Sequence, residues 1–230
     1  MVPFTRCSYF SQVPPWVIAD GEEFHYYNAS CRYDGRENMK VVAFNGSPRK
    51  KGNTYHCIQI VREVLHKEGI ETELIQLGGS DIKACTACYK CFDKKNKKCI
   101  QKDGFNLLME RMIEADGILI GSPTYFANVS PEVKSLIDRA GLVAIANDYL
   151  LKRKVGAAVV AVRRGGGTNV YSAINYFFGI NHMIIPGSNY WNLGVGLEPG
   201  DVLRDTEGIV TFRELGENIA WVMERLYGEG

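Results

Sequence analysis

The sequence predicts an α/β protein built on a doubly wound, five-stranded parallel sheet. Three observations carry this: short apolar runs rich in Val and Ile, helix-period segments between them, and Gly-rich polar turns where runs end. Strands that are apolar at nearly every residue are buried on both faces, because βαβ crossovers lay helices over each side of a parallel sheet.

The first strand is Val41–Asn45, closed by Gly46-Ser47-Pro48. Residues 54–67 then place Cys57, Ile58, Val61, Val64 and Leu65 at helical spacing, which completes one βα unit. Residues 72–77 and 117–121 read as the second and third strands, with a helix over 105–115 ahead of the third. A helix over 132–146 follows. Lys154–Val162 is a valine-rich fourth strand and His182–Ile185 a fifth. Residues 212–226 close the chain as an amphipathic helix with Leu215, Ile219, Val222 and Leu226 inward. Residues 1–38 show no period and are rich in aromatics, Pro and Gly, so they read as an N-terminal extension to a domain over 39–230.

Composition narrows the class of function. The 230 residues are 46% hydrophobic and 23% charged, enough to bury a core without metals or disulfides. A net charge of +1 lacks the electrostatic footprint of a nucleic-acid or anionic-membrane binder, so the expected partner is a small molecule or a protein. The longest apolar stretch, Val155–Val162, falls far short of the roughly 18 residues of a membrane span. The N-terminus does not read as a secretory signal, and seven cysteines then favour reduced thiols for metal or redox work in the cytoplasm.

The loop Gly46-Ser47-Pro48-Arg49-Lys50-Lys51-Gly52-Asn53-Thr54 leads from a strand into a helix N-terminus, where backbone N–H groups and small polar side chains make an anion site. It is not a Walker A loop, because the glycine spacing is one residue too long and Asn53 stands where the lysine belongs. It is not G-x-G-x-x-G either, which leaves a monophosphate as the fitting occupant. An ordinary βα turn with an Asn or Thr cap is the competing explanation.

Here the chain resembles the NADPH-dependent FMN reductase family of flavodoxin-like proteins, whose first loop reads Gly-Ser-Pro-Arg, a short spacer, then Gly-Asn-Thr. Further matching segments are Ser122-Pro123-Thr124-Tyr125-Phe126, Arg163-Arg164-Gly165-Gly166-Gly167, and Pro186-Gly187-Ser188-Asn189-Tyr190-Trp191-Asn192. The resemblance implies that Ser47, Arg49, Asn53 and Thr54 hold the phosphate of FMN. It also implies that Pro123, Thr124, Tyr125 and Phe126 border the ribityl chain and ring, while Arg163, Gly165 and Gly166 approach the ring's polar edge. The matched loops follow strand C-termini, where doubly wound sheets bind ligands. For Tyr125 and Phe126, burial in the core is the alternative.

Cys85, Cys88 and Cys91 are spaced C-x2-C-x2-C, and Cys99 follows after seven residues, inside a segment over 80–103 that follows the second strand. Such compact spacing lets one loop wrap an iron–sulfur cubane, although the last gap is longer than in bacterial ferredoxins and lacks the following proline. The segment resembles the iron-sulfur flavoprotein branch of the same family, in which a fourth cysteine four to seven residues on completes a 4Fe-4S site. Tetrahedral zinc and four unligated thiols are the alternatives. Cys57 falls on the inward helix stripe, and Cys7 and Cys31 have no partner spacing.

Lys94, Lys95, Lys97 and Lys98 form either a solvated loop or a docking patch that steers an acidic electron carrier. His25, His56, His66 and His182 have no ligand spacing and receive no role. The sequence reading is an FMN-dependent redox protein that passes electrons between a 4Fe-4S cluster and FMN, from a ferredoxin-like or small-molecule donor, in a homodimer or larger homo-oligomer. A cluster-free NAD(P)H-dependent FMN or quinone reductase is the first alternative. A zinc-stapled module that binds a phosphorylated partner is the second.

Overall fold

Along Val41, Val42, Ala43 and Phe44 the side chains turn alternately to the two faces of a strand, and all four are fully buried. Burial on both faces is the signature of a central parallel strand. The computed structural model describes residues 39–228, so the expected N-terminal arm over residues 1–38 lies outside the described residues.

The described elements are β1 (Lys40–Asn45), α1 (Asn53–Lys67), β2 (Glu71–Gln76), α2 (Lys90–Lys94), α3 (Phe105–Glu114), β3 (Gly117–Pro123), α4 (Pro131–Ala146), β4 (Val155–Val162), α5 (Gly167–Ile180), β5 (Leu193–Val195) and α6 (Thr206–Tyr227), with a 3-10 turn at Asp201–Arg204 before α6. All strand pairs are parallel, in the order β2-β1-β3-β4-β5. The order reverses between β1 and β3, and crevices beside the strands' C-terminal ends at such a point take ligands.

Two cores sandwich the sheet. Val42, Phe44, Ile118, Ile120, Ala158 and Val160 meet α3, α4 and α5 on one face. Val41, Ala43, Leu119, Val155, Ala157 and Val159 meet α1 and α6 on the other. Each fully buried aliphatic or aromatic side chain contributes about 1.5–3 kcal/mol, so the sheet carries its own stability. Among the described residues no helix is long and apolar enough to cross a membrane.

The fifth strand corrects the expectation. His182–Ile185 touches β4 at a single bridge between Val155 and Ile184, and the strand forms instead at Leu193–Val195, beside Val160 to Val162. Pro186 has no N–H to continue the ladder, so the chain leaves the edge after Ile185 and returns past Asn192. The sequence reading places no helix at α5, although Val170, Ile174, Phe177 and Phe178 stand there at helical spacing. The helix opens on Gly166 at φ 84°, a left-handed conformation that glycine adopts without a Cβ clash.

Candidate functional site

At the C-terminal end of β1, the fully buried Asn45 organises the loop that follows. Its Oδ1 accepts from the Ser47 N–H at 3.2 Å, and its Nδ2 donates to Gln76 Oε1 at 2.8 Å. Gln76 Nε2 in turn donates to the Ser47 carbonyl at 2.7 Å. Ser47 is buried and its Oγ accepts from the Arg49 N–H at 3.2 Å. Helix α1 begins after Gly52 with no side-chain cap, so its first N–H groups face the loop. An uncapped first turn with its partial positive charge suits an anion.

Within this loop the predicted residues take different positions. Thr54 is buried, Arg49 is exposed, and Asn53 is half-buried with its Oδ1 accepting from the Gly200 N–H at 2.8 Å. Gly78 packs onto the loop so closely that a Cβ there would meet the Ser47 carbonyl carbon at 2.2 Å. The chain that leads into the cysteine segment therefore rests on the loop after β1.

The loop after β3 is held to β4, because the Thr124 N–H and Oγ1 both donate to the Ala161 carbonyl, at 2.9 and 3.1 Å. Tyr125 and Asn128 exchange backbone hydrogen bonds at 2.9 Å around Phe126 and Ala127, both at positive φ. That tight turn presents Phe126 fully to solvent and leaves Tyr125 41% exposed, so core packing explains neither ring. Ser122 Oγ accepts from the Ser130 N–H at 3.0 Å, and Ser130 Oγ accepts from Val133 N–H to cap α4. A Cβ at Gly166 would lie 2.7 Å from the Ala127 Cβ, so the loop after β4 abuts this turn. Arg163, Arg164 and Gly165 in that loop are exposed, and a Cβ at Gly165 would meet nothing within 4 Å.

Cys85, Cys88, Cys91 and Cys99 line one small pocket of about 20 Å³. Its inner wall holds Arg139, Leu142 and Val143 of α4, while Cys88 and Tyr89 are exposed. Ala87 and Tyr89, both at positive φ, curl the chain between the first three cysteines. Hydrogen bonds from the Lys90 backbone and the Thr86 side chain lower the Cys88 pKa, whereas burial raises that of Cys91. Cys57 lies elsewhere, fully buried in the α1 face, and burial pushes its pKa far up, so it is an inert core residue.

The base of the cysteine segment is fastened by residues the sequence reading passed over. Asn106 accepts from the Cys99 N–H at 2.8 Å and donates to the Cys99 carbonyl at 3.0 Å. Asn147 Oδ1 accepts from the Lys97 N–H at 3.0 Å, and Gln101 Nε2 donates to the Ala84 carbonyl at 3.0 Å. Arg139, 1% exposed, donates to both Asp103 oxygens at 2.6 and 2.9 Å and to the Lys83 carbonyl at 3.0 Å. Its guanidinium carbon stands 4.1 Å from the Phe105 ring centroid. A signal existed: Arg139 interrupts the apolar stripe Leu136, Ala140 and Val143 on the inward face of its helix.

Four thiols are soft donors suited to an iron–sulfur cluster or to zinc, and a buried cation in the wall suits the negative charge of either thiolate site. Among the described residues no group of three or more His, Cys, Asp or Glu side chains is drawn to metal-ligand distances. The donor set fits a cluster chemically, and the exposed Cys88 side is where the loop has room to adjust.

Solved structures share this architecture at low identity. RosB with the bound intermediate 8-demethyl-8-formylriboflavin-5'-phosphate matches with a TM-score of 0.64 at 19% identity, covering 83% of this chain and 82% of that one. The NAD(P)H:quinone oxidoreductase from Methanothermobacter marburgensis matches with a TM-score of 0.58 at 14% identity, covering 79% and 97%. A flavodoxin from the domain Archaea matches with a TM-score of 0.51 at 16% identity, covering 82% and 99%. The fold is flavodoxin-like.

Residues 39–198 match the NADPH-dependent FMN reductase family, and the chain belongs to it. It is accordingly a flavin-dependent oxidoreductase with FMN as its cofactor. Similar proteins include an iron-sulfur flavoprotein of Methanocaldococcus jannaschii, 39% identical over 81% of this chain and 98% of that protein. Iron-sulfur flavoproteins of Archaeoglobus fulgidus and Methanosarcina thermophila are 35% and 33% identical, each over 81% of this chain and 96% of theirs.

Proposed function

We propose that this flavoprotein also holds a 4Fe-4S cluster on Cys85, Cys88, Cys91 and Cys99 and passes electrons between it and FMN. The observation that carries the reading is the pocket shared by all four cysteines, on a segment whose lead-in at Gly78 packs against the Ser47 loop. A bound flavin exchanges one or two electrons and a cluster one at a time, so the pair suits traffic with a ferredoxin-like donor.

The chain's own residues divide the work. Ser47, Arg49, Asn53 and Thr54 would bind the FMN phosphate, with the first turn of α1 supplying N–H groups. Pro123, Thr124, Tyr125 and Phe126 would border the ribityl chain and ring, and Arg163, Gly165 and Gly166 would approach the ring's polar edge. Lys94, Lys95, Lys97 and Lys98 are exposed beside the cysteines and would steer an anionic carrier toward them, with on-rates that fall as salt rises. The exposed aromatics Phe126, Tyr190 and Trp191 suit a homodimer or higher oligomer, which light scattering at micromolar concentration tests. A cytoplasmic location fits thiols kept reduced.

Anaerobic absorbance with iron, sulfide, zinc and flavin analysis tests the cofactors, and stopped-flow reduction tests the donor. Iron and sulfide near four per chain with rapid reduction by ferredoxin is expected. Stoichiometric zinc without iron would overturn the cluster. Rapid reduction by NADH or NADPH of protein free of iron would favour a cluster-free FMN or quinone reductase, the reading that the family's own description favours.

A further inference from the structure

Arg139 is more than a structural cation. Burying a guanidinium is costly unless its charge and its donors are met. Asp103 meets the charge, and Asp103 with the Lys83 carbonyl engages both terminal nitrogens. The Nε is equally buried and has no hydrogen-bond partner. Arg139 lines the pocket of the four cysteines, and its guanidinium neighbours Cys99, whose interaction favours the charged form. The two terminal nitrogens are held by Asp103 and Lys83, and the ring of Phe105 covers one face, so the orientation of the side chain is fixed.

We propose that Arg139 sets the reduction potential of the cluster, its Nε–H donating to a sulfur at the Cys99 side of the site. The proposal rests on the cluster reading above. A hydrogen bond to sulfur and a nearby positive charge favour the more negative, reduced state of a cluster, so the wild-type arginine raises the potential. Arg139 acts through position and charge, and no bond to it forms or breaks when the titrant supplies an electron.

The test compares anaerobically reconstituted wild type with Arg139→Met and Arg139→Lys, all carrying FMN. Redox titration followed at the cluster should show Arg139→Met about tenfold less reduced at a fixed potential, a shift of about 59 mV for one electron. Arg139→Lys keeps a charge against Asp103 but loses the Nε–H, so its shift should be smaller and in the same direction. The flavin potential should stay within experimental scatter of wild type, a separation that general loosening of the fold would not produce. In pulsed electron paramagnetic resonance of the reduced cluster after exchange into heavy water, wild type should show a coupled deuteron that Arg139→Lys lacks. Asp103→Asn gives an opposite expectation, a raised potential, because it removes a compensating negative charge.

Where Arg139→Met does not fold, Arg139→Lys carries the test. Loaded variants with the wild-type cluster potential and deuteron coupling would overturn the role of Arg139 while leaving the cluster in place. A wild type that takes up no iron would overturn the cluster reading and this proposal together.

Discussion

The phosphate loop and the cysteine segment both follow strands of one sheet, yet they are built in opposite ways. The first is fastened at both ends: Asn45, Ser47 and Thr54 are buried, and Gln76 and Gly78 brace the Ser47 backbone. The second is fastened at its base by Asn106, Asn147 and the Arg139–Asp103 pair, while α2 buries no residue at all. A site preorganised by backbone can receive an anion with little rearrangement. A segment with an exposed rim relies on its ligand to complete its order, as metal sites commonly do. The difference teaches that one fold can offer a site shaped in advance beside a segment whose order a ligand would complete.

The largest expected break in that comparison comes from the rim. Cys88→Ser or Cys91→Ser should lose most of the bound iron and keep FMN, because neither loop supplies the other's ligands and the sheet stands on its own apolar cores. Iron and flavin analysis after anaerobic reconstitution checks this. Loss of both cofactors in equal measure would show that the two regions fold as one unit.

Breaking the base should act on stability instead. Removing one partner of a buried ion pair leaves the other charge unpaired, at a cost of about 3–5 kcal/mol, so Asp103→Ala should unfold at markedly lower denaturant than wild type. Hydrogen bonds from Arg139, aided by the Lys83 and Phe105 N–H groups, hold the Asp103 pKa at about 2. A depressed carboxylate stabilises the fold above its ordinary pKa and loses that contribution as pH falls through the depressed value. In cluster-free protein, roughly 2–3 kcal/mol should therefore disappear between about pH 4 and pH 2, and Asp103→Ala should lack this component. Denaturant titrations at three pH values would show it, and parallel pH profiles for the two proteins would remove Asp103 as the cause.

At the preorganised loop the effect should be local. Arg49 is exposed, so Arg49→Ala should leave stability unchanged and weaken FMN by roughly 1.5–3 kcal/mol, the range for a hydrogen bond to a charged group. That corresponds to about ten- to a hundredfold in dissociation constant. Riboflavin, which lacks the phosphate, should bind both proteins alike. Equal losses for the two flavins would place Arg49 away from the phosphate.

Much of this was legible in the chain because it is written in periodicity and spacing. The first four strands, the helix over Asn53–Lys67 and the compact cysteines all announce themselves locally. Three features did not. The fifth strand is three residues long and displaced beyond Pro186, so the apolar run before the proline looked like the better candidate. Helix α5 carries Val170, Ile174, Phe177 and Phe178 inward at i, i+4, i+7 and i+8, a stripe that was present in the sequence, but its glycine-rich start lacks the usual cap. The base of the cysteine segment depends on Asn106, Asp103, Arg139 and Asn147, whose partners are distant or lie on other elements. Polar residues of this kind carry no local pattern, and only tertiary placement reveals what they bind.

The smallest expected effect asks whether α4 ties the two regions together. Its first turn is capped by Ser130, whose N–H donates to Ser122 Oγ in β3, while Arg139 in its later turns and Asn147 at its C-terminal cap hold the base of the cysteine segment. Replacing a serine N-cap by alanine typically costs about 1 kcal/mol, because an orphaned N–H loses its acceptor. Fraying should stay in the first turn, since Leu136 and Ile137 anchor the helix into the core directly after it. Ser130→Ala should thus lower stability by about 1 kcal/mol and weaken FMN by a few-fold at most, with iron content unchanged. Faster hydrogen exchange confined to residues 132–134 would sharpen the picture of two independently held sites. Faster exchange reaching Asn147, with iron lost alongside, would instead make α4 a rigid rod whose start and end respond together.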